Sequence, residues 1–118
     1  MASVSFDLAV FAMDESADAL AVRTMFERCQ SGSHVEGEFD NRIVGFYEGL
    51  RVVFPDRAPY GPDSPWMSTP LAVGIDHVFM CLSFSRCTQA IATIEDLTKK
   101  YQLAIWDPQS GEAYLPGT

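Results

Sequence analysis

The stretch LAVGIDHVFMCLSF, residues 71–84, decides the fold. Two short apolar runs flank an Asp-His pair. Leu71–Ile75 and Val78–Phe84 are rich in β-branched and aromatic residues, and Asp76-His77 is a polar break of hairpin length. The pattern predicts two paired strands with a turn at 76–77.

Outward from this hairpin the periodicity changes. Ser85 is placed to cap a helix running from Arg86 to about Tyr101. Its apolar residues Cys87, Ala90, Ile91, Ile94, Leu97 and Tyr101 recur three and four apart. Lys99 and Lys100 lie at its carboxyl end, where the helix dipole favours cations. Leu103–Trp106 reads as a further strand, followed by a tail. Asp107-Pro108-Gln109-Ser110-Gly111 is a turn signal, because the proline holds Asp107 extended and then interrupts the strand ladder.

On the amino-terminal side of the hairpin lies PDRAPYGPDSPWMSTP, residues 55–70, which holds five of the seven prolines. Each proline fixes its own φ and restricts its predecessor, so a long but stiff loop is expected. Before it, Ile43, Phe46, Tyr47, Leu50 and Phe54 mark a helix from roughly Asp40 to Phe54, stopped by Pro55. Gly45 and Gly49 weaken that helix by about 1 kcal/mol each relative to alanine, unless they admit a close neighbour. Glu36, Glu38 or Asp40 is its cap. An earlier helix, capped by Asp14 or Ser16, runs to about Cys29 with Ala17, Leu20, Ala21, Met25 and Cys29 along one face. Phe6–Met13 is a buried strand.

The resulting order, βα(α)ββαβ, predicts an α+β domain of the ferredoxin-like kind. It would have a four-stranded antiparallel sheet, its first and third strands central, and all helices on one face. The other face would then be open. The proline loop, a protein partner, or a second copy forming a homodimer would have to cover it.

At 118 residues and 13.0 kDa the chain makes one domain. Apolar residues make up 47% and charged residues 20%, a globular composition. The net charge of -8 and pI near 4.5 repel phosphate, so nucleic acid and anionic membranes are poor partners. A basic protein would be attracted, and simple solubility accounts for the charge equally well.

The opening MASVSFDLAV has neither a basic region nor a long apolar core, and no run approaches the ~18 apolar residues that cross a bilayer. A cytoplasmic protein is expected. The odd cysteine count (Cys29, Cys81 and Cys87) fits reduced thiols better than a disulfide framework. A zinc site would need His34 or His77 to join them, and the spacing gives no sign of one; no cofactor is expected.

No motif for nucleotide binding, metalloprotease, serine hydrolase or calcium chemistry is present. A thiol pair of Cys81 or Cys87 with His77 would need an electropositive, partly exposed setting, which an apolar strand and a helix stripe do not provide. His77 with Asp76 or Asp107 could make a base and its orienter, but Asp76 and His77 fit an exposed turn and Asp107 a turn former. The chain is therefore expected to be no enzyme.

Three stretches carry a resemblance: SFDLAVF (Ser5–Phe11), SPW (Ser64–Trp66) and LAIWDPQSG (Leu103–Gly111). In these the chain resembles a group of small bacterial proteins with an FDLAVW-like first strand, an SPW-type loop and a YDPQ-like close. Some of that group resemble immunity proteins of polymorphic or contact-dependent toxin systems. The resemblance implies a bacterial cytoplasmic protein whose job is to bind, and with the small, acidic chain and its aromatic loop it leads to the expectation of an immunity protein that binds a cognate toxin domain and covers its active site. Tyr60 and Trp66 would then be aromatic anchors, with Trp66 as a core plug the alternative. Glu38, Asp56, Asp63, Asp76 and His77 would steer and pair with a basic partner. A small-molecule-binding or regulatory module, its pocket shaped by the glycines of the second helix and the proline loop, is the rival reading.

Overall fold

The structure is a computed structural model and describes residues 5–14, 16–30, 37–57, 64–67 and 69–116. It is α+β. The elements in order are β1 (Ser5–Phe11), α1 (Ala19–Gln30), α2 (Asn41–Val53), β2 (Ala72–Val73), β3 (His77–Ser83), a 3-10 turn at Phe84–Arg86, α3 (Cys87–Tyr101), β4 (Ala104–Asp107) and β5 (Glu112–Tyr114). One antiparallel sheet runs β2-β3-β1-β4-β5. It has five strands, not the expected four. The closing residues, read as a tail, turn back as β5, with Asp107 opposite Glu112 and Gly111 at φ 72° in the turn.

β1 is central because both its faces are apolar. Leu8 and Val10 point to one side and Ala9 and Phe11 to the other, following the two-residue period of a strand. The first set joins Val78, Met80, Leu82 and Ile105 beneath α2 and α3, the larger core. The second set joins Phe79, Ala104 and Trp106 beneath α1.

The helices thus lie on both faces, which corrects the expectation of a single helical layer and an open sheet. The cover on the back is local. Phe26 of α1 packs its ring against Phe79 and Trp106, with centroids 5.8 and 5.9 Å apart.

The buried face of α1 is Val22, Met25 and Cys29, whereas Leu20 is 69% exposed, contrary to the expected stripe. Asp18, not Asp14 or Ser16, caps it by accepting from the Ala21 N–H at 2.9 Å. Asp40 caps α2 by accepting from Arg42 N–H at 2.8 Å. Ser85 caps nothing, because the 3-10 turn occupies that position and α3 starts at Cys87 without a side-chain cap.

The two α2 glycines admit α3. A Cβ at Gly45 would stand 2.5 Å from the Tyr101 ring, and one at Gly49 3.0 Å from Leu97. These glycines let two helices approach closely, and the space beside them is filled rather than left as a pocket. Among the described residues, no helix is long and apolar enough to cross a membrane.

Candidate functional site

The described residues among the proposed partner contacts are divided between opposite ends of the sheet. At the end where β1 begins and β3 finishes, Trp66 is 8% exposed. Its indole Nε1–H donates to the Phe54 carbonyl at 3.0 Å and its ring meets Phe54 edge-on. The backbone beside it pairs with β3: Met67 N–H donates to Cys81 O at 2.8 Å and Ser83 N–H to Pro65 O at 2.6 Å. Trp66 therefore plugs the core, and the described part of the proline loop lies along the edge of β3.

Asp56 is 1% exposed. Its Oδ2 accepts from the Tyr47 hydroxyl at 2.7 Å and from Leu71 N–H at 3.0 Å. Burial pushes the Asp56 carboxyl up, but these hydrogen bonds outweigh it and hold the group below its ordinary value. Asp56 and Trp66 secure the loop and present no surface to a partner, which corrects their assignment as contacts. Tyr60 and Asp63 lie outside the described residues.

Asp107 stands near this same end. Its Oδ1 accepts from Gln109 N–H at 2.9 Å, and the Gln109 side chain clips onto β1 through Asp7 N–H and Asp7 O at 2.7 and 2.8 Å. It forms a turn, and it is far from His77, which pairs with Phe11 at the other end of β1.

That other end gathers the remaining candidates. Asp40 N–H donates to Ile75 O at 2.8 Å, and Ala12 N–H to Asp76 O at 2.9 Å. The guanidinium of Arg42 reaches Met13 O at 3.1 Å while pairing with Asp40 at 3.2 Å. Segments 12–14, 37–42 and 75–77 are thereby drawn together, bringing Asp14, Glu38, Asp40 and Asp76 to one end. The Arg42 side chain holds the Asp40 carboxyl below its usual range. Hydrogen bonds from the Ser16 backbone and hydroxyl do the same for Asp14. Between Glu38 and Asp40 the ring of Phe39 is 50% exposed.

His77 is not an exposed turn residue. It opens β3, is 9% exposed, and its ring lies 4.9 Å from that of Phe79. Gly74 makes the room, since a Cβ there would collide with the His77 ring at Cε1. His77 Nδ1 lies 2.9 Å from Asp76 Oδ1 and 3.6 Å from the Sγ of Cys29.

Sequence reasoning offered His77 a thiol in Cys81 or Cys87 and saw no spacing that favoured a zinc site, so it missed that Cys29 is the thiol beside His77. It lies on the last turn of α1, 48 positions from His77, and no local spacing signals the meeting. Burial, with the nearby Asp76 charge adding to it, pushes the Cys29 thiol up, away from the thiolate. A nucleophilic relay also needs thiol and carboxylate on opposite ring nitrogens, whereas both face Nδ1 here. The geometry is that of three donor atoms gathered within 4.8 Å of one another.

The chain matches no family model, no curated protein and no solved structure with which it was compared.

Proposed function

We propose that the chain is a binding protein of the immunity kind, which docks its acidic end on a basic toxin domain and occludes that domain's active site. The observation that carries this reading is the exposed Phe39 ring set between Glu38 and Asp40, with Asp14 and Asp76 on neighbouring segments. An exposed aromatic on an end of the molecule that carries several carboxylates suits a partner whose active-site cleft is lined with lysine and arginine. The net charge of -8 adds long-range attraction of the same sign. A bacterial cytoplasmic location belongs to this reading.

We read the architecture as a ferredoxin-like arrangement with additions. The placing of β1 and β3 inside the sheet supports it, with α2 and α3 as the crossover helices, α1 an insertion on the back and β5 an extra edge.

The test is affinity capture from the native host with the wild-type chain and a Glu38→Lys/Phe39→Ala chain in parallel. A stoichiometric basic protein held by the wild type and lost by the variant is expected, followed by rescue from that protein's toxicity on co-expression. A partner retained equally by both chains refutes the acidic end as its site. Recovery of the chain alone, as monomer or homodimer, counts against the whole reading.

One feature favours a small-molecule module instead. A cleft of about 350 Å³ lies between α3 and the β1-β4-β5 side of the sheet. Phe6, Leu8, Ile91 and Ile105 line it together with the polar Glu95 and Lys99. Saturable ligand protection against thermal unfolding, blocked by Ile91→Trp and indifferent to Glu38→Lys, distinguishes this reading from the first.

A further inference from the structure

We propose that Cys29, Asp76 and His77 form a binding site for a divalent cation of the zinc class. Among the described residues these three side chains place one sulfur, one oxygen and one nitrogen donor within 4.8 Å of one another. The proposal shares Asp76 with the partner-binding reading but does not rest on it, and its test leaves Glu38 and Phe39 untouched.

The hydrogen bonding around His77 Nδ1 is oversubscribed. One nitrogen faces a carboxylate oxygen at 2.9 Å and a thiol at 3.6 Å. With a proton on Nδ1 it donates to Asp76, and the thiol hydrogen finds no lone pair there. Without that proton it takes the thiol hydrogen, and its neighbour Asp76 loses its donor. Neither tautomer satisfies the carboxylate and the thiol through Nδ1 at once, whereas a cation accepts all three lone pairs together.

The spacing fits. Zinc bond lengths at tetrahedral angles set sulfur and nitrogen ligands about 3.5 Å apart, and nitrogen and oxygen ligands about 3.3 Å apart. Sγ and Nδ1 already stand at 3.6 Å. The Asp76 carboxylate must swing out by about 0.4 Å to meet the tetrahedral distance, and with 33% of its side chain exposed it has room.

The donor chemistry selects the cation. Thiolate, imidazole and carboxylate together suit zinc, whereas magnesium and calcium want oxygen throughout. The partly exposed Asp76 side leaves the fourth position to solvent. Cys29 gives its proton to solvent as the cation enters. The site is also held in place before any cation arrives. Cys29 is fixed on α1, and the His77 ring is seated over Gly74 and beside Phe79, so little ordering remains to be done.

The test uses the purified full-length chain with Zn²⁺ followed by calorimetry, and Co²⁺ as a spectroscopic probe. One Zn²⁺ per chain is expected, with a thiolate-to-cobalt charge-transfer band in the near ultraviolet. Cys29→Ser should abolish the band and weaken zinc binding by ~100-fold or more, since even outer-shell partners are worth 10–100-fold. Asp76→Asn, on a partly exposed side chain, should weaken binding with the far-ultraviolet circular dichroism unchanged. Cys81→Ser and Cys87→Ser should leave both signals intact. A wild-type chain that takes up no zinc overturns the proposal without recourse to any variant. So does a band that survives Cys29→Ser or disappears with Cys81→Ser or Cys87→Ser.

Discussion

Replacing Asp56 by alanine distinguishes a structural anchor from a partner contact. The carboxylate is 1% exposed and accepts from the Tyr47 hydroxyl and the Leu71 N–H. Hydrogen bonds to a charged group contribute about 1.5–3 kcal/mol each, and losing the acceptor strands both donors. The bonds share one oxygen and the buried charge itself carries a desolvation cost, so the lower end applies, about 3 kcal/mol for the pair. Tyr47→Phe removes one bond alone and should cost about 1–1.5 kcal/mol. In the double variant the two effects should overlap, with a coupling of about 1 kcal/mol.

Urea unfolding followed by tryptophan fluorescence measures this, because Trp66 sits in the same loop. The pH dependence gives a second reading of the same bonds. The folded carboxyl is held below its unfolded value, so its contribution is complete above about pH 4 and drains away as pH falls through the folded value. Asp56→Asn should therefore lie furthest below the wild type above pH ~4, and the gap should narrow in more acid solution. If Asp56→Ala unfolds at the wild-type urea midpoint, or Tyr47→Phe and Asp56→Ala add without coupling, the anchoring role is wrong.

Two further substitutions test the packing by the same urea assay. Trp66→Ala should cost about 3–5 kcal/mol, as expected for a buried aromatic, and Trp66→Phe about 1 kcal/mol for the lost bond to Phe54 O; a surface anchor would leave the midpoint unmoved. On α1, Val22→Ala should cost about 2 kcal/mol and Leu20→Ala less than about 0.5 kcal/mol. The reverse order would turn α1 over.

α3 and β1 were legible in the sequence because their signals are local and redundant. Six apolar residues at helical spacing leave α3 no other face to bury. An unbroken apolar run with partners on both sides makes β1 central. The turn at Asp107 was equally plain, since proline and glycine constrain the backbone wherever the chain goes. The hairpin at residues 71–84 was placed correctly but shifted. His77 carries a polar ring, yet it enters the sheet because Gly74 clears space for it and Phe11 lies opposite. β5, three residues long, is too short to show a period of two.

By itself, then, the sequence determined the class of fold, most of its elements and the acidity of the surface, because each follows from neighbours within one turn or one strand. Tertiary structure alone decided which side of the sheet α1 covers. The apolar residues of α1 fall on more than one face, and only contact with Phe79 and Trp106 selects among them. It also decided that Asp56 and Trp66 are anchors and that Cys29 meets His77. Those contacts join residues 9 to 48 positions apart, and their energy depends on burial, which no stretch of chain carries before it folds.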